Sequence, residues 1–107
     1  MVNRDSSIRA TLETLRSLAF GSIGAAYAAI GTALADEAEQ ICLINNTDAD
    51  LLISDDGVNN KIFLPKFSGY VLDLFSNNKV IANRTVMYVK HNGVAPTEGS
   101  VYFEATV

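Results

Sequence analysis

Chemistry in this chain would have to start from very few residues. The sequence holds one cysteine and one histidine in 107 residues. No second thiol is available for a disulfide or a zinc pair, and no second imidazole for a metal site. Cys42 lies between Ile41 and Leu43, a setting that predicts a buried, inert thiol rather than a nucleophile. His91 stands beside Asn92-Gly93 and is expected as a solvated histidine at a strand end. Asp48, Asp50, Asp55 and Asp56 crowd together as calcium ligands can, but the EF-hand pattern and its closing glutamate are absent. These aspartates fit tight turns, which Asp caps with its own side chain. Gly21-Ser22-Ile23-Gly24 has no following lysine and so lacks the phosphate-binding P-loop pattern. Asn45-Asn46-Thr47 and Asn83-Arg84-Thr85 match the glycosylation pattern, which matters only in a secreted chain. The sequence therefore predicts no catalytic residue, no metal, no cofactor and no enzyme activity.

Composition narrows the remaining classes. Hydrophobic residues make up 49% and charged residues 19%, the balance of a folded domain rather than a disordered chain. At this length one modest core is all that can form. The net charge of -4 opposes a nucleic-acid surface, which needs a basic footprint.

Residues 17–35 carry no charge and follow Arg4, Arg9 and Arg16, with Ala33-Leu34-Ala35 as a small-residue site. A signal peptide is disfavoured by the long preceding segment and by Asp5 and Glu13 within it. A membrane span is disfavoured by the weakly apolar Ala, Gly, Ser and Thr content and by Gly21, Gly24 and Gly31. Ala25, Ala26, Ala28 and Ala29 favour helix, and a helix over 8–34 stands as the alternative. The three glycines weigh against it, and Ser22-Ile23-Gly24 instead predicts a turn between strands at Leu15–Ser22 and Ala25–Leu34.

Further strands are expected at Gln40–Asn45, Asp50–Ser54, Lys61–Leu64, Gly69–Phe75, Thr85–Lys90 and Ser100–Val107. Turn residues separate them, at Asn45-Asn46-Thr47-Asp48, Ser54-Asp55-Asp56-Gly57, Ser76-Asn77-Asn78 and His91-Asn92-Gly93. The spacing predicts an all-β fold: an antiparallel β-sandwich or flattened barrel of about 7–8 strands. A polar N-terminal arm at 1–14 would precede a single β domain at 15–107. The expected core includes Ile41, Leu43, Ile53, Leu64, Leu72, Leu74, Val86, Val101 and Phe103.

Charge is divided along the chain. Asp36, Glu37, Glu39, Asp48, Asp50, Asp55 and Asp56 form a stretch without a base, and Lys61, Lys66, Lys79, Arg84 and Lys90 follow with only Asp73 opposing. Folding could interleave these charges over one solvated surface. Alternatively, the protein has opposite ends that meet between copies. The candidate subunit-interface residues on that reading are Asp36, Glu37, Glu39, Asp55, Asp56, Lys61, Lys66, Lys79, Arg84 and Lys90.

Three stretches carry a resemblance. One is Leu15-Arg16-Ser17-Leu18-Ala19-Phe20-Gly21-Ser22-Ile23 with Ala25–Thr32, and another is Asn45–Asn60 with Pro65 after it. The last is Tyr88-Val89-Lys90 followed by Ala95-Pro96-Thr97-Glu98-Gly99-Ser100-Val101-Tyr102. Together they resemble a family of small virion proteins of tailed bacteriophages, placed among head and tail-connector components. Asp55 departs from that pattern where an apolar or aromatic residue is expected, and Lys66-Phe67 replaces small residues. The resemblance implies a β-rich structural protein assembled in many copies, as a head–tail connector or tail ring component. Its partners would be copies of itself and portal, adaptor, tail or capsid proteins, with no direct nucleic acid and no membrane. It would be made in the host cytoplasm and reside in the virion. The alternatives are a capsid cement or decoration protein, and a small β module that binds a carbohydrate or peptide through Tyr27, Tyr70, Tyr88 or Tyr102.

Overall fold

The computed structural model describes residues 11–74 and 79–107, which form eight strands and no α-helix. They are β1 (Arg16–Ala19), β2 (Ala28–Ala29), β3 (Gln40–Thr47), β4 (Leu51–Ser54), β5 (Ile62–Leu64), β6 (Ser68–Asp73), β7 (Tyr88–His91) and β8 (Gly99–Thr106). Sheet A runs β1-β8-β3-β6 and sheet B runs β2-β7-β4-β5, each with four antiparallel strands. The sheets remain separate, so the fold is the sandwich rather than the barrel.

Alternation decides which side of each strand is buried. Ile41 and Leu43 of β3 and Val101 and Phe103 of β8 face inward from sheet A. Leu51 and Ile53 of β4, Leu64 of β5 and Val89 of β7 meet them from sheet B. Three expected core residues are corrected: Leu72, Leu74 and Val86 are only half-buried. Leu72 and Leu74 lie on or just beyond the edge strand β6, where one flank has no neighbouring strand. Around β7 the parity is shifted by one residue, so Met87 and Val89 take the core in place of Val86. Val86 and Met87 are adjacent and both apolar, and alternation alone cannot choose between them.

The hairpin expected across residues 15–34 does not form. β1 pairs with β8 in sheet A, whereas β2 pairs with β7 in sheet B. Between them lies a single 3-10 turn at Phe20–Ser22, and the helix alternative is absent as well. Ile23, Ile30 and Leu34 are buried as this segment passes from one sheet to the other. The main chain then runs beside residues 84–87, with Ile30 N–H donating to Met87 O at 2.7 Å and Leu34 N–H to Thr85 O at 2.9 Å. Most other connections cross between sheets too; among the described residues, β4 and β5 are the one pair of consecutive strands that are neighbours. Of the arm expected at 1–14, residues 11–13 extend the edge of sheet A along β8. Thr11 N–H donates to Val107 O at 3.1 Å and Glu13 N–H to Ala105 O at 3.1 Å. The arm's residues 1–10, Phe75 and the Ser76-Asn77-Asn78 turn lie outside the described residues.

Two polar clusters fix the crossings. Arg16 is 8% exposed and faces inward, its guanidinium carbon 5.8 Å from the Phe103 ring centroid. It donates to Glu13 Oε1 at 2.7 Å, to Thr32 O at 2.6 Å and to Ala33 O at 2.9 Å. Glu13 in turn accepts from Asp36 N–H at 3.0 Å, so one ion pair holds both sides of the 32–36 crossing. A buried charge is tolerable only when it is paired and hydrogen-bonded, as this one is. Gly31 has φ +69 and a Cβ there would stand 2.8 Å from Arg16 Cβ, so glycine is required beside it. Asn45 is 1% exposed. Its Nδ2 lies 2.9 Å from Ala49 O, 3.0 Å from Leu64 O and 3.0 Å from Pro65 O. Asn45 Oδ1 accepts from Thr47 N–H at 3.0 Å and Thr47 Oγ1 at 2.6 Å.

Two outcomes follow from this packing. Leu43→Ala should cost roughly 2–5 kcal/mol, while Leu72→Ala, on a half-buried edge, should cost about 2 kcal/mol or less, both read from urea midpoints. The Arg16 guanidinium hydrogen bond holds the Glu13 carboxyl below its usual pKa, helped by the Asp36 and Ala35 N–H groups and opposed by burial. A depressed folded-state pKa gives stability that is present above the unfolded value, about 4.3, and lost as pH falls through the folded value. Glu13→Gln should be less stable at neutral pH and should lose less of its remaining stability on acidification. Urea titrations between about pH 7 and about pH 3 measure this difference.

Candidate functional site

The residues with chemical potential are held apart. Cys42 points from the outer face of sheet A, with Val71 of β6 and Glu104 of β8 as its register partners. It is half-exposed, which corrects the expectation of a buried thiol. A central strand of a two-layer sandwich buries one face only, and Cys42 is on the other. Partial burial, and after it the Glu104 charge, push its thiol pKa up, away from the thiolate. His91 ends β7, at the strand end expected for it but half-buried rather than solvated, opposite Leu51, with its N–H donating to Gly24 O at 3.0 Å. Its Nδ1 is buried without a hydrogen-bond partner among the described residues. The thiol and the imidazole therefore stand on different sheets and cannot act on one atom.

The aspartates cap turns. Asp48 accepts from Thr97 N–H at 2.7 Å and from the Thr97 hydroxyl, fastening the connection between β7 and β8. Those two bonds hold its carboxyl below the usual range. Asp50 accepts from Lys66 N–H at 3.0 Å. Asp56 accepts from the Ser54 hydroxyl at 2.6 Å, Val58 N–H at 2.8 Å and Asn59 N–H at 2.9 Å, which holds it far below the carboxylate range. Among the described residues, no group of three or more His, Cys, Asp or Glu side chains is placed to hold a metal ion.

The candidate interface charges form two mixed groups rather than opposite ends. Lys61 Nζ lies 2.7 Å from Asp55 Oδ1 and 3.8 Å from Asp56 Oδ2 in the β4–β5 loop, exposed pairs that solvent screens strongly. Lys90 stacks on the Tyr27 ring at 4.8 Å, and the Tyr27 hydroxyl donates to Asn60 Oδ1 at 2.6 Å in the same loop. Lys66 is exposed just before β6. At the other group, Asp36, Glu37 and Glu39 flank Ala38, which bridges to Ile81, between Lys79 and Arg84. Arg84 N–H donates to Leu34 O at 2.7 Å and Lys79 N–H to Leu74 O at 3.2 Å. Asp36 and Glu37 also line an open hollow with Thr11, Asn83 and Val107. The chain weaves between sheets, so blocks separated in sequence meet in space.

Two surfaces remain that sequence reasoning did not assemble, although it named Tyr27, Tyr70 and Lys90 separately. On the outer face of sheet B, Phe63, Leu52 and Lys90 form one cross-strand row, continued by Tyr27. On sheet A, β6 is an edge strand, bonded among the described residues only to β3. Leu74 N–H donates to Glu39 O at 2.8 Å, which sets the ladder. Antiparallel pairs alternate, so Leu72, Tyr70 and Ser68 turn their main-chain groups to β3, while those of Gly69 and Val71 point away. Val71 is 58% exposed and Tyr70 37%. The signal available in the sequence was the uncharged run Ser68–Leu72.

Thiol reagents should label native Cys42 at neutral pH, more slowly than in the unfolded chain, and Glu104→Gln should speed the reaction. Labelling seen only after unfolding would contradict the half-exposed position. Among the described residues, no helix is long and apolar enough to cross a membrane. A scan against protein-family models gives no match, and neither curated proteins nor solved structures give one.

Proposed function

We propose that the protein is a non-enzymatic structural component of a tailed-bacteriophage virion, a head–tail connector or tail ring subunit assembled in many copies. The observation that carries this reading is the convergence of the three resembling stretches. Ala28–Ala29 from the first pairs with Tyr88–Val89 of the third, and Val89 and Tyr88 pair with Ile53 and Ser54 of the second. Stretches scattered along the chain thus make one contiguous part of sheet B. The open edge of β6 and the separation of Cys42 from His91 support an assembling role over a catalytic one. Its partners are copies of itself and other virion proteins, and the exposed charges Asp36, Glu37, Lys66, Lys79 and Arg84 are available to meet them. A capsid cement role differs only in position on the particle.

A second reading, a small ligand-binding β module, is favoured by the Tyr27–Lys90–Leu52–Phe63 row. Stacking of a sugar or peptide on that row would be lost in Tyr27→Ala and Phe63→Ala. The deciding experiment is quantitative mass spectrometry of purified phage particles together with antibody labelling in the electron microscope. Many copies per particle, marked at the head–tail junction, are expected; a capsid-wide label would indicate the cement role. A soluble monomer left in the supernatant would sink the virion reading.

A further inference from the structure

The edge of β6 has the properties of a self-pairing strand. It is the longest of the four edge strands, six residues against four for β1, three for β5 and two for β2. Proteins blunt such edges with lysine, proline, bulges or a covering segment. Ser68-Gly69-Tyr70-Val71-Leu72 carries neither lysine nor proline. The main-chain N–H and C=O groups of Gly69 and Val71 face outward with no partner among the described residues. Exposed Tyr70 and Val71 stand at the same place.

We infer that β6 pairs antiparallel with β6 of a second copy of this chain about a two-fold axis at Tyr70. In that register Gly69 of each copy faces Val71 of the other. The two residues then exchange both of their hydrogen bonds, and the outward groups of Gly69 and Val71 in each strand are satisfied by the same groups across the axis. Tyr70 faces its own counterpart in a non-hydrogen-bonded pair, where side chains approach most closely and aromatic pairs add stability. Charge favours the same direction. Lys66 precedes the strand and Asp73 ends it, so antiparallel pairing sets the basic end of one copy beside the acidic end of the other. A parallel approach would set like charges together. The result is a continuous sheet of eight strands across two copies, in the mode of β-strand addition. The contact is small and correspondingly weak alone, suited to an assembly in which many contacts act together. It deepens the many-copy reading proposed above by naming one contact and its partner.

The test is sedimentation of the full chain between about 10 μM and about 1 mM, a span that captures weak association. The parent should shift from monomer to dimer with concentration. Val71→Pro removes an outward N–H and no bond to β3, so it should keep the far-UV spectrum and weaken dimerisation at least about tenfold. Val71→Lys should do the same by placing like charges on the edge, and it stands as the second variant should proline disturb the strand. In a Cys42→Ser background, Tyr70→Cys should form a disulfide between copies on mild oxidation. A parent that stays monomeric throughout, dimers untouched by both Val71 variants, or no covalent dimer from Tyr70→Cys would overturn the pairing. Such a result leaves particle incorporation, measured separately, as the judge of the virion reading.

Discussion

Asn45 is the point on which both sheets depend. It belongs to sheet A, yet its amide hydrogens reach the carbonyls of Ala49 before β4, of Leu64 at the end of β5 and of Pro65 where the chain leaves sheet B. Its carbonyl oxygen holds Thr47, whose hydroxyl oxygen also lies 3.1 Å from Ala49 O. An apolar residue here would leave these buried groups short of partners, each at roughly 1–3 kcal/mol. The cluster does more than satisfy polar atoms. It sets where β5 ends, how Pro65-Lys66-Phe67 turns and where β6 begins, and so it aims the open edge of sheet A.

Arg16 and Glu13 serve at the opposite connection. There the chain leaves β2 at the edge of sheet B and returns toward β3 of sheet A through Gly31 and Thr32, outside any regular strand. A charged pair guides it, with the Phe103 ring beneath the guanidinium. The two clusters divide the work: hydrophobic alternation makes the sheets, and buried polar groups determine how the chain moves between them. Phe67 shows the strain accepted at such a crossing, since its φ of 53° is a left-handed conformation uncommon for a bulky residue.

Much of the fold was legible because period-2 alternation is a strong signal. β3 and β8 could be read from Ile41/Leu43 and Val101/Phe103, and their neighbours from similar patterns. Pairing was less legible. Turn residues such as Asn92-Gly93 mark where a strand stops, but they do not say whether the chain returns to the same sheet or crosses to the other. Residues 17–35 misled for a related reason, since small residues suit a hairpin, a helix or an irregular crossing nearly equally. Arg16 was hidden because an arginine in a polar stretch is ordinarily solvated, and only Glu13 and the 32–33 carbonyls make its burial tolerable. Cys42 was misplaced because an apolar neighbourhood in sequence is not an enclosed one in a two-layer fold. The charge pattern was visible as two blocks, but their mixing is a property of the topology.

That topology also sets an order in time. The middle of sheet A contains β8, the last of the described strands in chain order, with β1 on one side and β3 on the other. Until Gly99–Thr106 has emerged, β1 has no neighbour at all and β3 has only β6. The β4–β5 hairpin is the one local nucleus among the described strands, and the other pairings must wait for long-range closure. A product cut short before β8 therefore lacks the centre of a sheet rather than its margin. Such a fragment would expose unpaired strands that invite aggregation or proteolysis. Because β8 follows every other described strand and sits in the middle of its sheet, sheet A cannot close before residues 99–106 are in place.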